Sequence, residues 1–167
     1  MGDIEKSNGG ETSSPLFSQE RKEKMPAEYS FNALQTVAPG ANVQFENSSR
    51  CCKKGYVIHR DNSGLFYLRG ITTQCKATYK VQFNANIAVS TGETVEPISI
   101  ALSINGEPLG NATAIVTPAA VGDFFNVSIA TFVDVPACCC VTVSVENVSE
   151  TAAIDVQNAN IIIDRIA

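Results

Sequence analysis

The stretch from Lys76 to Val89 reads KATYKVQFNANIAV, and it decides the fold class. Apolar residues occupy every second position, while lysine, threonine, glutamine and asparagine occupy the positions between them. A period of two over so many residues is the pattern of a β-strand that has one buried and one wetter face. The sequence therefore predicts one long β-strand over this stretch, with a core on one side of it.

The same rhythm continues on both sides of this strand, from Phe31 to the end of the chain. Asn105-Gly106 lies between two such runs, and this dipeptide is the strongest short signal for a β-hairpin. The run Ile161 to Ile163 is apolar at every position, which indicates a strand covered on both faces. The predicted strands are 31–37, 42–46, 56–59, 65–69, 76–89, 98–104, 112–116, 124–135, 141–145 and 154–166. They predict an all-β, double-sheet sandwich of jelly-roll or Greek-key type with no long helix.

The composition narrows the functional classes. Of 167 residues, 44% are hydrophobic and 17% are charged, and the net charge is -5. That hydrophobic share is ample for one core, whereas no apolar run approaches the roughly 20 residues of a membrane-spanning helix. The acidic balance argues against a nucleic-acid-binding protein that works through a general basic surface.

The charge is unevenly distributed along the chain. Residues 31–80 hold seven basic and two acidic side chains, whereas residues 81–167 hold nine acidic side chains against Arg165 alone. This separation is consistent with opposed basic and acidic surfaces on which copies or partners dock, or with charge scattered over a solvated surface. The sequence leaves both interpretations open.

Residues 1–30 differ from the rest of the chain. They are polar and broken by Gly9-Gly10 and Pro15, with one short charged run, 19–25, that has the composition of a helix. They are predicted to be an N-terminal arm, flexible or anchoring, and residues 31–167 are predicted to be the folded domain. The arm lacks the basic start and apolar stretch of an export signal, so synthesis in a cytoplasm without secretion is expected.

Several segments resemble the tumour-necrosis-factor/C1q jelly roll. They are the run Gly64 to Gly70, the long strand KATYKVQFNANIAV, PISIALSINGEPL with its hairpin, and the closing VTVSVENVS and IDVQNANIIIDRIA. The resemblance covers residues 31–167, and more narrowly the chain resembles small C1q-like virion surface proteins of phages and prophages of gut Firmicutes. Related domains cap collagen-like filaments on spores, but no Gly-x-y repeat precedes this domain.

The resemblance implies a homotrimer on the virion surface, made in the host cytoplasm, with the chain ends at the base of the trimer. It implies a non-enzymatic structural protein, a capsid decoration or head-fibre protein attached to a capsid or other virion protein through residues 1–30. The alternative is a C1q-like trimer that binds a carbohydrate or host surface, as a phage adhesin or a spore or cell-surface filament tip. Neither interpretation involves a cofactor, a nucleic acid or a membrane.

A trimer has a threefold axis lined by side chains from three copies. The candidates for the core of the trimer are large side chains on the predicted strands, and each of them has the core of a single chain as its alternative place. They are Tyr67, Tyr79, Phe83, Phe124, Phe125, Ile161 and Ile163.

The six cysteines are the unusual feature of the composition. Cys51 and Cys52 lie in a predicted loop, and Cys138, Cys139 and Cys140 lie at a predicted turn. Disulfides between this loop and this turn, within or between subunits, are one interpretation, and reduced filler residues are the other. Adjacent strand residues point to opposite faces, so a shared metal ion is not expected.

The single histidine, His59, offers little for catalysis. A Cys–His pair with Cys51 or Cys52 requires a proximity that spacing does not establish, so a structural histidine is the preferred interpretation. The run Asp61 to Gly64 resembles the front of a calcium loop but lacks the later acidic ligand, which favours a turn. No catalytic, cofactor-binding or metal-binding residue is predicted.

Overall fold

The long predicted strand is present as β5 (Lys76–Val89), and it lies inside a sheet with a partner on each side. The structure is a computed structural model, and it describes residues 26–46, 55–70 and 73–167. Within these residues the elements are β1 (Ala27–Phe31), β2 (Gln35–Val37), β3 (Val57–His59), β4 (Phe66–Arg69), β5, β6 (Ile98–Ile104), β7 (Glu107–Val116), β8 (Phe125–Pro136), β9 (Cys140–Asn147) and β10 (Ile154–Arg165). None of the described residues forms a helix long and apolar enough to cross a membrane.

Sheet I consists of β1, β10, β5 and β8 in that order, and β2 also pairs with β10. All of its pairs are antiparallel. The register between β10 and β5 shifts between Gln157 and Asn160, where Asn158 adopts a φ of 53°. This bulge separates the part of β10 that pairs with β2 from the part that pairs with β1.

Sheet II consists of β3, β4, β9, β6 and β7 in that order, again with antiparallel pairs. Its β6–β7 hairpin turns at Asn105-Gly106, whose φ angles of 52° and 82° are those of the tight turn that matches strand twist. The hairpin predicted from this dipeptide is therefore confirmed, although β7 starts at Glu107 and not at the expected Ala112.

The core lies between the two sheets. Its largest fully buried side chains come from both of them and include Tyr79, Phe83, Phe66 and Leu68, with Phe45 from the segment before β3. Alternate positions of β5 are buried along the whole strand, as its sequence pattern predicts. Burial of this interleaved layer is the main source of stability for such a sandwich.

The sandwich has two distinct ends. We define the basal end by the start of β1, the end of β10 and the β8–β9 turn, since Ala27 pairs with Ile163 and Thr78 N–H donates to Ala167 O. The distal end carries loops 38–42, 90–97, 117–124 and 148–153. The buried Asn147 side chain links β9 to β2 and to the loop 148–153, because its amide donates to Val37 O and Ala152 O.

Two predicted segments differ from the structure at the N-terminal side. The expected strand 31–37 is divided between β1 and β2, and β1 begins at Ala27, inside the segment predicted to be an arm. The expected strand 42–46 forms only isolated bridges, such as Asn42 with Glu146. The predicted short helix 19–25 lies outside the described residues.

Candidate subunit interface

The central part of the outer face of sheet I carries few charged side chains. Two rows of side chains cross its four main strands, and each row is fixed by the strand register. The rows are Ser30, Asn160, Asn84 and Ser128, and Glu28, Ile162, Gln82 and Ala130. Glu28 is the one charged residue among the eight, and it accepts a hydrogen bond of 2.8 Å from the Asn160 amide. Loss of charged residues is the compositional mark of interface centres.

A large apolar side chain stands in the next row of the same face. Phe132 on β8 pairs with Lys80, which pairs with Asp164, and 65% of Phe132 is exposed to solvent. Ile162 of the neighbouring row and half-exposed Ile166 lie on the same face by strand parity. An exposed phenylalanine in the middle of a strand costs hydration free energy in a lone molecule, so its cover by another chain is favourable.

Strand β8 is also an edge of the sheet. It runs for 12 residues, pairs with β5 alone among the strands that the structure describes, and carries Asp134 as its one charged side chain. Proteins normally shorten, charge or cover such edges, because an exposed one invites pairing with other chains. The edge of sheet II lies beside it, on β7, where Ile115 is 70% exposed. The side of the sandwich that is formed by β7 and β8 therefore carries exposed apolar side chains from both sheets.

The residues predicted for the core of the trimer do not form one site. Tyr79, Phe83, Ile161 and Ile163 are almost completely buried between the sheets of the single chain, and the Tyr79 hydroxyl donates to Arg69 O at 2.6 Å. They cannot contact another copy. They lie in the core of the single chain, which was the alternative position considered for them. Tyr67 is exposed on the outer face of sheet II, while Phe124 and Phe125 are exposed at the distal end.

Phe132 was not among the residues predicted from the sequence, because only the odd-numbered apolar residues of β8, which alternate toward the buried side, were considered. The signal was available, since Phe132 is the one large apolar residue at the polar parity of this strand. It could have been found by asking which apolar residues break the alternation.

Charged groups lie next to these two rows at the basal end. Lys76 and Thr78 both donate to the Asp134 carboxylate, which also joins β5 to β8. These hydrogen bonds, with that from Lys76 the stronger, hold the pKa of Asp134 below its ordinary value. On the other side of sheet I the Arg165 guanidinium stacks 4.4 Å above the Tyr56 ring.

His59 has a structural environment. Its ring stacks on Phe66 at 4.5 Å between centroids and lies 4.8 Å from the Tyr29 ring, and its Nε2 is 2.9 Å from Ser63 O. Burial lowers the pKa of His59, while the Ser63 hydrogen bond and the charge of Asp61 act in the opposite direction. These contacts place the ring in an aromatic cluster, which is the role preferred for it from the sequence.

The run Asp61 to Gly64 is a turn in the structure. Asn62 has a φ of 58°, and Gly64 lies so close to Asn42 and Val43 that a β-carbon would meet them at 2.6 and 2.7 Å. Across residues 26–46, 55–70 and 73–167 no three His, Cys, Asp or Glu side chains are grouped as metal ligands would be.

Four cysteines lie together at the basal end. Cys75 and Cys138 to Cys140 are free and exposed, and Ala137 N–H donates to Cys75 O at 3.0 Å. Cys75 is therefore the cysteine next to Cys138–Cys140 in the structure. No disulfide partner was predicted for Cys75 from the sequence. Cys51 and Cys52, the predicted partners, lie outside the described residues.

The distal end is acidic and partly apolar. Its four loops, all described, carry Glu93, Glu96, Asp123 and Glu150 and no lysine or arginine. Glu96 accepts hydrogen bonds from the Thr151 hydroxyl and from the backbone of Thr151 and Ala152, and these hold its pKa below the ordinary value. Exposed apolar side chains at this end are Val95, Val121, Phe124 and Phe125.

Comparison with solved structures identifies the architecture. The chain is similar to the Eiger TNF of S. frugiperda, with a TM-score of 0.60, 11% identity, and coverage of 85% of this chain and 93% of that one. It is also similar to the globular domain of the zebrafish complement 1qA protein, with a TM-score of 0.53, 11% identity, and coverage of 87% and 98%. No protein-family model and no curated protein matches the sequence. The predicted fold, an all-β TNF/C1q-like jelly roll, is confirmed.

Proposed function

We propose that this chain is a non-enzymatic structural subunit of a phage virion, a homotrimeric capsid decoration or head-fibre protein held by its N-terminal segment. The observation that carries the assembly is the pair of central rows on the outer face of sheet I, in which Glu28 is the one charged residue, with exposed Phe132 in the next row. The sequence resemblance to C1q-like virion proteins supplies the phage context.

A closed ring of three copies requires two different surfaces on each copy, because every contact is head to tail. The outer face of sheet I is one such surface, and the side formed by β7 and β8 is the other. Docking the second onto the first covers Phe132 and Ile115. A stable contact of this kind buries about 800 Å² on each partner.

The chain direction supports attachment from the base. β1 begins at Ala27 at the basal end, so residues 1–25 join the domain at that end. Three copies bring three such segments to one surface. Three weak contacts joined in this way bind far more tightly than one, because the second and third are intramolecular.

Charge placed in the proposed contact tests the assembly. Phe132→Asp introduces a carboxylate into the apolar contact between subunits of the proposed trimer, so the variant should sediment as a folded monomer. Phe124→Asp makes the same change at an exposed distal residue and should leave the trimer intact. The assembly would be contradicted if Phe132→Asp remained a trimer, whether or not Phe124→Asp dissociated.

Removal of residues 1–25 tests attachment to the virion. This deletion leaves β1 whole, so the shortened chain should remain a trimer but no longer co-sediment with shells of the phage that encodes it. Retained co-sedimentation would exclude this segment as the anchor.

A second function is supported by the distal end. A C1q-like trimer that binds a host surface would present Phe124 and Phe125 outward, where aromatic rings offer contact area to a sugar or an apolar partner. The carboxylates of the same loops disfavour anionic glycans. This function predicts that the chain lacking residues 1–25 still binds a neutral glycan and that Phe124→Asp abolishes that binding.

A further inference from the structure

The thiols at the basal end are placed where packing does not explain them. Cys75, Cys138, Cys139 and Cys140 are all exposed, whereas free cysteine is among the most buried residue types in proteins. Cys138 and Cys139 lie in the turn between β8 and β9, Cys140 is the first residue of β9, and Cys75 immediately precedes β5. A role in thiol chemistry accounts for such exposure better than a role as filler residues.

The strand register brings two of these residues to disulfide spacing. Lys76 and Pro136 form the last pair of the β5–β8 ladder, and the Ala137 N–H bond to Cys75 O, at 3.0 Å, extends the ladder by one residue. Cys75 therefore lies opposite Ala137 and one residue from Cys138. Opposed α-carbons in such a ladder are about 4.5–5.5 Å apart and consecutive ones about 3.8 Å, so a residue one step from the opposed pair has its α-carbon about 6–7 Å away. That distance overlaps the upper part of the range of about 4.4–6.8 Å over which disulfides join α-carbons.

The backbone of Cys138 is the second observation. Cys139 N–H donates to Pro136 O at 3.1 Å, which closes a turn with Ala137 and Cys138 at its centre. Cys138 has a φ of 62°, a region that favours glycine and asparagine and strains other residues. Strain of this kind persists where the side chain serves a purpose that a glycine cannot serve.

We propose that Cys75 and Cys138 form an in-chain disulfide when the protein meets a small-molecule disulfide such as oxidised glutathione. One protein thiolate attacks the small disulfide, breaks its S–S bond and releases one small thiol. The second protein thiolate then attacks the mixed disulfide and releases the other. Two protein thiols are oxidised, one small disulfide is reduced, and the two protons pass to the released thiols.

The bond ties the start of β5 to the β8–β9 turn at the basal end, where the chain enters and leaves the domain. It leaves Cys139 and Cys140 as thiols. It arises within one chain, so it does not depend on the proposed trimer or on its virion context.

Peptide mapping of the full chain tests the bond. Cys51→Ser and Cys52→Ser are introduced together, so that the four basal thiols alone remain. The protein is equilibrated with oxidised or reduced glutathione, its free thiols are alkylated, and the digest is examined by mass spectrometry. The oxidised sample should contain a linked pair of peptides that carry Cys75 and Cys138, with Cys139 and Cys140 alkylated.

Matched variants and a melting curve complete the test. Oxidation should raise the melting temperature by about 5 °C, Cys75→Ser should abolish both the linkage and the rise, and Cys140→Ser should keep both. Alkylation of all four thiols, a bond within the turn, linkage only between chains, or a lower melting temperature on oxidation would each overturn the proposal.

Discussion

His59 couples the stability of the fold to pH through the aromatic cluster around it. Stacking on Phe66 and contact with Tyr29 remove water from the ring, so the folded chain favours the neutral imidazole and the pKa lies below its ordinary value of about 6.5. The unfolded chain therefore binds a proton at pH values where the folded chain does not. Acidification below about pH 6.5 must favour unfolding until the folded histidine is also protonated.

We predict that the urea midpoint falls between about pH 7 and about pH 5.5, above the range in which carboxylates titrate. His59→Gln should lower the midpoint at neutral pH, since the stacking is lost, and should flatten its pH dependence in this window. Parallel pH profiles for the two proteins would show that another group is responsible.

Residue identity alone did not separate the core from the surface of sheet I. Phe83 and Phe132 are both strand phenylalanines, yet one is fully buried and the other is 65% exposed. Parity along each strand decides between them, and it can be read from the sequence. Which outer residues lie in one row, such as Asn160 beside Asn84, depends on the β10–β5 register and could not be predicted.

At the basal end, Gly70 lies immediately after β4 and packs against the β8–β9 turn. Gly70 N–H donates to Cys139 O at 2.8 Å, and a β-carbon at this position would lie 1.9 Å from Pro136 O and 3.2 Å from Cys139 O. No side chain fits in that space unless the β8–β9 turn moves. Gly70 therefore permits the close approach that holds β4 against this turn.

We predict that Gly70→Ala destabilises the protein by about 2 kcal/mol, because the turn must shift and its backbone hydrogen bonds weaken. Gly110→Ala is the control, since a β-carbon there meets nothing within 4 Å. Its effect should be within about 0.5 kcal/mol in the same urea titration. Equal effects of the two substitutions would contradict the close packing at Gly70.

At the level of elements, alternation predicted nearly every strand and the Asn105-Gly106 turn, because these signals are local. The segment 42–46 alternates equally well, but it contributes only bridges such as that between Phe45 and Ser63. The proximity of Cys75 to the β8–β9 turn depends on pairing between strands some 60 residues apart, as 76 and 136 show, and no local pattern predicts that pairing.

Across the whole molecule the charge separation seen in the sequence has a spatial counterpart. Every charged side chain in the distal loops is acidic, whereas exposed Arg69, Lys76 and Lys80 lie toward the basal end. The separation is incomplete, because Asp134 at the basal end forms an ion pair with Lys76. In a trimer the two ends would present unlike surfaces, a basal one for attachment and an acidic distal one for solvent or a second partner.

The proposed trimer requires the outer face of sheet I to be covered by other copies of the chain. The most direct measurement is the mass of the unmodified protein in solution at micromolar concentration, by light scattering after size exclusion. We predict a single species of three times the 17.8 kDa chain mass. A stable species of 17.8 kDa would show that Phe132 and its neighbours face water, and it would contradict the proposed assembly.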